Sequence, residues 1–169
     1  MARNIEIKAR IPSVEAMAAT VVALADHGPV EIPQDDTFFV CDRGRLKLRA
    51  FSATEGQLIF YRRANQAGPK ESFFVISPTT SPDSLREALS LAYGQAGRVR
   101  KHRTLYLVGR TRVHLDRVEN LGHFLELEVV LSEGEPSERG LEEAHTLMTS
   151  LGISADQLVE GAYVDVLSR

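Results

Sequence analysis

Several short stretches of this chain alternate strictly between an aliphatic residue and a charged or polar one. In a strand, residues two apart share a face. Over residues 3–11, Asn4, Glu6, Lys8 and Arg10 therefore fall on one side, and Ile5, Ile7, Ala9 and Ile11 on the other. The pattern returns over 45–51, where Arg45, Lys47 and Arg49 are backed by Leu46, Leu48 and Ala50. Lys101 and Arg103 share a side over 97–108, as do Arg110, Arg112, His114 and Asp116 further on. Over 123–132, Glu126 and Glu128 sit opposite Leu125, Leu127 and Val129.

Other segments complete the outline. Strands are expected over 36–40, 57–63, 71–76 and 111–118, with turns at 65–69, at Gly109 and at Asn120-Leu121-Gly122. Ser13 is placed to cap a helix over 14–25 that ends near His27-Gly28-Pro29. Ser81-Pro82 opens a second helix reaching Tyr93, with proline in the tolerated first turn. A third helix is expected over 138–150, and a short helical turn from Ser154. Up to eight strands with few helices give an α+β arrangement built on an antiparallel sheet that curls or closes.

A sheet with one wet face would also alternate. Three observations favour a closed sheet with the charged face inside. The charges are segregated by sign, since one strand carries only cations at its polar positions and another carries acids. The apolar helices need a sheet face to cover, and the aliphatic face supplies one. A lumen of like charges is costly, because two of them about 4 Å apart repel by roughly 4 kcal/mol at an effective dielectric of about 20. Such a lining calls for a polyanion to neutralise it.

A triphosphate meets that need. Guanidinium groups grip phosphate oxygens bidentately and ammonium groups act as point charges. Carboxylates near a triphosphate suit Mg²⁺ or Mn²⁺, which take oxygen ligands.

Composition narrows the rest. The chain has 169 residues, consistent with one domain over 1–169, and 43% hydrophobic residues. A net charge of −3, from 20 basic and 23 acidic residues, argues against a general nucleic-acid partner. No run of about 18 apolar residues suggests a membrane span. The N-terminus has no signal-peptide core, so a cytoplasmic location is expected. The lone Cys41 leaves no internal disulfide and no cysteine-based zinc site.

These residues resemble the CYTH superfamily, which includes class IV adenylyl cyclases, thiamine triphosphatases and inorganic triphosphatases. Asn4-Ile5-Glu6-Ile7-Lys8 is similar to its E-x-E-x-K signature, with Asn4 in place of the first glutamate. Leu46-Lys47-Leu48-Arg49 resembles its L-R-x-R strand, and Lys101-His102-Arg103 its K-x-R strand. Residues 58–63, followed by Gly68-Pro69-Lys70-Glu71-Ser72, resemble a segment of the class IV cyclase-like branch. The stretch 113–128 resembles its most diagnostic segment, and residues 163–167 its C-terminal S-Y-x-D-L-L. The resemblance implies an antiparallel β-barrel of about eight strands, the triphosphate tunnel, with helices packed outside. It also implies a metal-dependent reaction at a triphosphate.

The expected phosphate clamp comprises Lys8, Arg10, Arg45, Lys47, Arg49, Arg62, Arg63, Lys101, Arg103 and Arg112. Glu6, Glu126, Glu128 and Asp116 are the candidate metal ligands, and Lys8, Asp116 and Glu126 the candidate catalytic groups. Asn4 brings no charge, which weights metal binding toward Glu6, Glu126 and Glu128. His114 is a candidate general base; Tyr163 and Asp165 are expected to tie down the C-terminus. The leading expectation is divalent-metal-dependent hydrolysis of a nucleoside, organic or inorganic triphosphate. The alternatives are a class IV cyclase making cyclic AMP and pyrophosphate from ATP, and a barrel that binds polyphosphate or nucleotide without turnover. The expected partner is the small-molecule triphosphate, with the chain a monomer or homodimer.

Overall fold

A computed structural model describes residues 2–63 and 66–168. Eight strands close into one antiparallel barrel: β1 (Ala2–Arg10), β2 (His27–Phe39), β3 (Arg45–Ala50), β4 (Gly56–Arg63), β5 (Lys70–Thr79), β6 (Gln95–Val108), β7 (Thr111–Val118) and β8 (Gly122–Val130). Around the ring the order is β1-β5-β4-β3-β2-β6-β7-β8, with β1 closing the sheet by pairing with both β5 and β8. Four helices accompany it: α1 (Val14–Val22), α2 (Pro82–Tyr93), α3 (Ser137–Ser150) and α4 (Tyr163–Leu167). No helix among the described residues is long and apolar enough to cross a membrane.

Closure buries both sides of β1. Ile5 and Ile7 are each 1% exposed on the outer side, while Glu6 at 8% and Lys8 at 4% are enclosed on the inner side. The outer aliphatic rows of β1, β7 and β8 meet α1 and the segment after α3 in one core built on Ile7, Ala9, Val21, Val113, Leu115, Leu125 and Leu127. α3 continues this cover over Ile5, Val129 and Leu131. Burying one such side chain contributes roughly 1.5–3 kcal/mol, so the outer faces carry most of the hydrophobic stabilisation. A second cluster of Phe38, Ile59, Tyr61, Val99, Phe124, Tyr163 and Val164 fills one end of the barrel.

Local chemistry sets the boundaries. The Ser13 hydroxyl accepts the Ala16 N–H at 3.2 Å, and His123 Nδ1 accepts the Val14 N–H at 2.9 Å, so two of α1's free donors are satisfied. Asn120, with φ of 65°, turns the chain between β7 and β8. Two elements depart from expectation. α1 stops at Val22 instead of residue 25. β2 begins at His27, although the sequence suggested a strand only over 36–40. Gly28, Pro29 and Pro33 erase the alternating pattern there, and the ladder with the 14-residue β6 holds the segment extended instead, with a register shift between His27 and Val30. The expected turn at 65–69 starts on Asn65, which lies outside the described residues.

Candidate functional site

The inward rows enclose a lumen of about 330 Å³. Seven cations line it: Lys8 from β1, Lys47 and Arg49 from β3, Arg63 from β4, Lys101 and Arg103 from β6, and Arg112 from β7. Four carboxylates share the lining, namely Glu6, Asp36, Glu126 and Glu128. Strand parity turns each of these groups inward, and closure of the ring gathers them. Arg10, Arg45 and Arg62 lie apart from the lumen. Arg10 stacks 4.7 Å from the Phe124 ring and donates to the Leu121 carbonyl at 3.2 Å. Arg45 pairs with Asp165 at 2.5 Å, at the barrel's end. Arg62 has the opposite parity to Arg63 and packs outside between Phe60 and Phe73.

The lining is a mixed network, not a bare row of like charges. Asp36, 1% exposed, accepts both Arg49 Nε and an Arg49 terminal nitrogen at 2.8 Å. The same carboxylate takes Lys101 Nζ at 3.1 Å and stands 3.3 Å from Lys47 Nζ. Glu6 accepts from Arg63 at 2.8 Å. Glu126 lies 3.6 Å from both Lys8 and Arg103 and 3.2 Å from His114 Nδ1. Asp116, fully buried on the inward side of β7, accepts two bonds from Arg103 at 2.8 Å and one from the Tyr163 hydroxyl at 2.7 Å.

Internal acids thus answer part of the cationic charge, which the pattern of cations alone did not reveal. Asp36 lies inside the strand expected over 36–40, but the cations it meets come from β3 and β6, and only the pairing of those strands with β2 brings them to it. Tyr163 also does more than anchor the C-terminus. Lys8 Nζ sits 3.9 Å above its ring and Lys101 Nζ 5.5 Å from it, so the residue floors the lumen.

Burial sets the charge states. It pushes Lys8 and Lys101 down to about 8 and Lys47 to about 7, with neighbouring arginines adding to the effect. Burial would raise Asp36, but Arg49, Lys101 and Lys47 together hold it well below the usual carboxylate range. His114 is pushed down to about 4 by burial and by Arg103, so its imidazole is neutral at neutral pH. Glu128 is raised to about 8, first by burial and then by Glu126 and Glu6.

A buried carboxylate raised by neighbouring acids, as Glu128 is, suits a divalent cation. His114, Glu126 and Glu128 each offer a ligand atom, all within 4.8 Å of one another. Glu6 pairs with Glu128 across the β1–β8 ladder but is turned toward Arg63. Asn4 Oδ1 is buried in the same lumen with no hydrogen-bond partner, as an oxygen meant for a ligand would be. The donor set fits a metal ion. Of the four expected ligands, Glu126 and Glu128 come together, while Glu6 is engaged by Arg63 and Asp116 by Arg103.

A closed antiparallel barrel with a cationic lumen and a carboxylate cluster on its wall defines a charge-lined tunnel. The chain belongs to the CYTH domain family, whose model matches residues 2–163. It is 26% identical over 170 residues to the adenylate cyclase CyaB of Aeromonas hydrophila, covering 95% of this chain and 86% of the relative. The PH1012 protein of Pyrococcus horikoshii shares the fold with a TM-score of 0.85 at 21% identity, covering 96% of this chain and 98% of that one. A Hippeastrum protein, described as a candidate adenylyl cyclase with a dominant triphosphatase activity, superposes with a TM-score of 0.68 at 15% identity, covering 99% and 95%.

Proposed function

We propose that this protein is a divalent-metal-dependent enzyme that hydrolyses a triphosphate held in the barrel lumen. The observation that carries this reading is the convergence of seven lysine and arginine side chains from five strands on one enclosed space, against four lining carboxylates. Arg49 and Arg103 present planar forks suited to phosphate oxygens, held in orientation by Asp36 and Asp116 respectively. Lys8, Lys47 and Lys101 add mobile point charges, and gain protons when a polyanion arrives beside them. Glu126, Glu128 and Asn4 would hold Mg²⁺ or Mn²⁺, which would neutralise charge on the phosphate oxygens. On this reading Lys8, 3.6 Å from Glu126, supplies positive charge beside the metal ligands. Catalysis on this reading is positioning plus electrostatic stabilisation.

A second reading is cyclisation of ATP to cyclic AMP and pyrophosphate. Two observations favour it. The Aeromonas relative that spans most of the chain bears a cyclase name. The lumen also has an apolar sector with two carboxamides, formed by Ile32, Gln34, Phe51, Gln57, Ile76 and Leu105, and Gln34 Oε1 is buried there without a partner. Such a sector can seat a planar organic group.

One experiment tests both. The purified protein is incubated with ATP, thiamine triphosphate or tripolyphosphate, each with Mg²⁺ or Mn²⁺, and phosphate, pyrophosphate and cyclic AMP are measured. Phosphate release is expected, and Lys47→Ala and Glu126→Gln should each reduce it by at least about tenfold while the fold is kept. Cyclic AMP as the main product would replace hydrolysis with cyclisation. Full activity in both variants would sink the lumen as the site.

A further inference from the structure

The metal-facing wall contains a nitrogen. His114 projects from β7 into the lumen, 4% exposed, directly opposite Glu126 in the β7–β8 ladder. Its Nδ1 lies 3.2 Å from Glu126 Oε1. Two ligands at right angles on one ion with bonds of roughly 2.1 Å stand about 3 Å apart, so this separation suits co-ligation as well as a hydrogen bond. Glu128 completes a group of three ligand atoms within 4.8 Å of one another. The independent observation is Asn4 Oδ1, on an inward position of β1 one step from the Glu6–Glu128 pair. It is 97% buried by virtue of its 3% exposure, and has no partner of its own.

We infer that His114 is a direct ligand of the metal site, so that the site takes a first-row transition ion such as Mn²⁺ in preference to Mg²⁺. This rests on the metal-dependent reading above and deepens it. Mg²⁺ is a hard ion that keeps to oxygen and gives up its waters reluctantly. First-row transition ions accept imidazole, so one nitrogen among oxygen donors shifts the balance toward them. The shift has a structural origin in strand parity. Position 114 faces inward between Arg112 and Asp116, and any side chain there would meet Glu126. An aliphatic or cationic residue at that position would leave an all-oxygen site.

The test uses the full chain, stripped of metal with a chelator and loaded with Mn²⁺ alone. Pulsed electron paramagnetic resonance reads whether a nitrogen nucleus couples to the bound Mn²⁺, independently of turnover. Calorimetry compares Mn²⁺ with Mg²⁺. The wild-type protein is expected to show the nitrogen coupling and to bind Mn²⁺ more tightly than Mg²⁺ by at least about tenfold. In His114→Asn the coupling should vanish and the ratio should shrink by several-fold. Bound Mn²⁺ without nitrogen coupling in the wild-type protein overturns the inference whether or not the variant folds, and so does coupling that survives in His114→Asn. Failure of the wild-type protein to bind either ion overturns the metal-dependent reading itself, and this inference with it.

Discussion

At the residue scale, Asp36 is the group on which three of the lumen's seven cations depend. It meets Arg49, Lys101 and Lys47 at once while 1% exposed. Asp36→Asn leaves those cations without their counter-ion, and removing one partner of a buried ionic group costs about 3 kcal/mol or more. Urea unfolding is expected to show that loss, and saturating tripolyphosphate to recover part of it. The lysines give a second expectation. Lys8, Lys47 and Lys101 titrate at about 8, 7 and 8 because burial disfavours their charge. An unfolded lysine titrates near 10.4, so between about pH 7 and pH 10 the unfolded chain holds more protons than the folded one. The contribution of these groups therefore stabilises the free protein progressively as pH rises through that window. A bound polyanion favours the charged lysines and reverses the trend. Tripolyphosphate binding should take up protons near pH 8, seen as a dependence of the calorimetric heat on buffer ionisation enthalpy, and should weaken toward pH 9. Binding with no proton exchange would contradict these charge states.

At the element scale, the short α4 and its lead-in determine the closed end of the lumen. Gly97 on β6 lies so close to α4 that a Cβ would come within 2.3 Å of Val164 Cγ2. Gly97→Ala forces α4 away, and with it Tyr163, whose hydroxyl steadies Asp116 and whose ring lies under Lys8. Overpacking of this kind costs about 1–3 kcal/mol. Gly140 on α3 is equally crowded, with Ile5 Cγ1 at 2.6 Å and Leu131 Cδ2 at 2.7 Å, but it faces the outer core. Both alanine variants should lower the urea midpoint, yet only Gly97→Ala should also weaken tripolyphosphate binding. Equal binding in the two would remove α4 from the site. Elements with clean alternation, such as β1, β3 and β7, were legible from sequence within a residue or two. The first half of β2 was not, because its extended shape comes from backbone pairing to β6, which leaves no side-chain period to read.

At the scale of the whole molecule, closure converts eight half-polar strands into an enclosed charged space. A ligand that binds only the closed barrel stabilises it by about 2.7 kcal/mol at a hundredfold excess over its dissociation constant. For a domain of this size, tripolyphosphate at that excess should raise Tm by roughly 5–10 °C. A Tm unmoved by tripolyphosphate and metal together would argue against an interior site. The sequence alone determined that the strands have a charged side and an aliphatic side, and which residues lie on each, because side-chain parity is a property of the single strand. It thereby placed Lys8, Lys47, Arg49, Lys101, Arg103 and the Glu126–Glu128 pair on the charged sides of their strands, while Arg62 and Arg63 were told apart only by the fold. Which of them meet was decided only by the ladder that joins strands far apart in the chain. That pairing set Asp36 among three cations, sent Asp116 to Arg103, and stood His114 against Glu126. Register between distant strands follows from the closing of the ring, and no local run of residues encodes it.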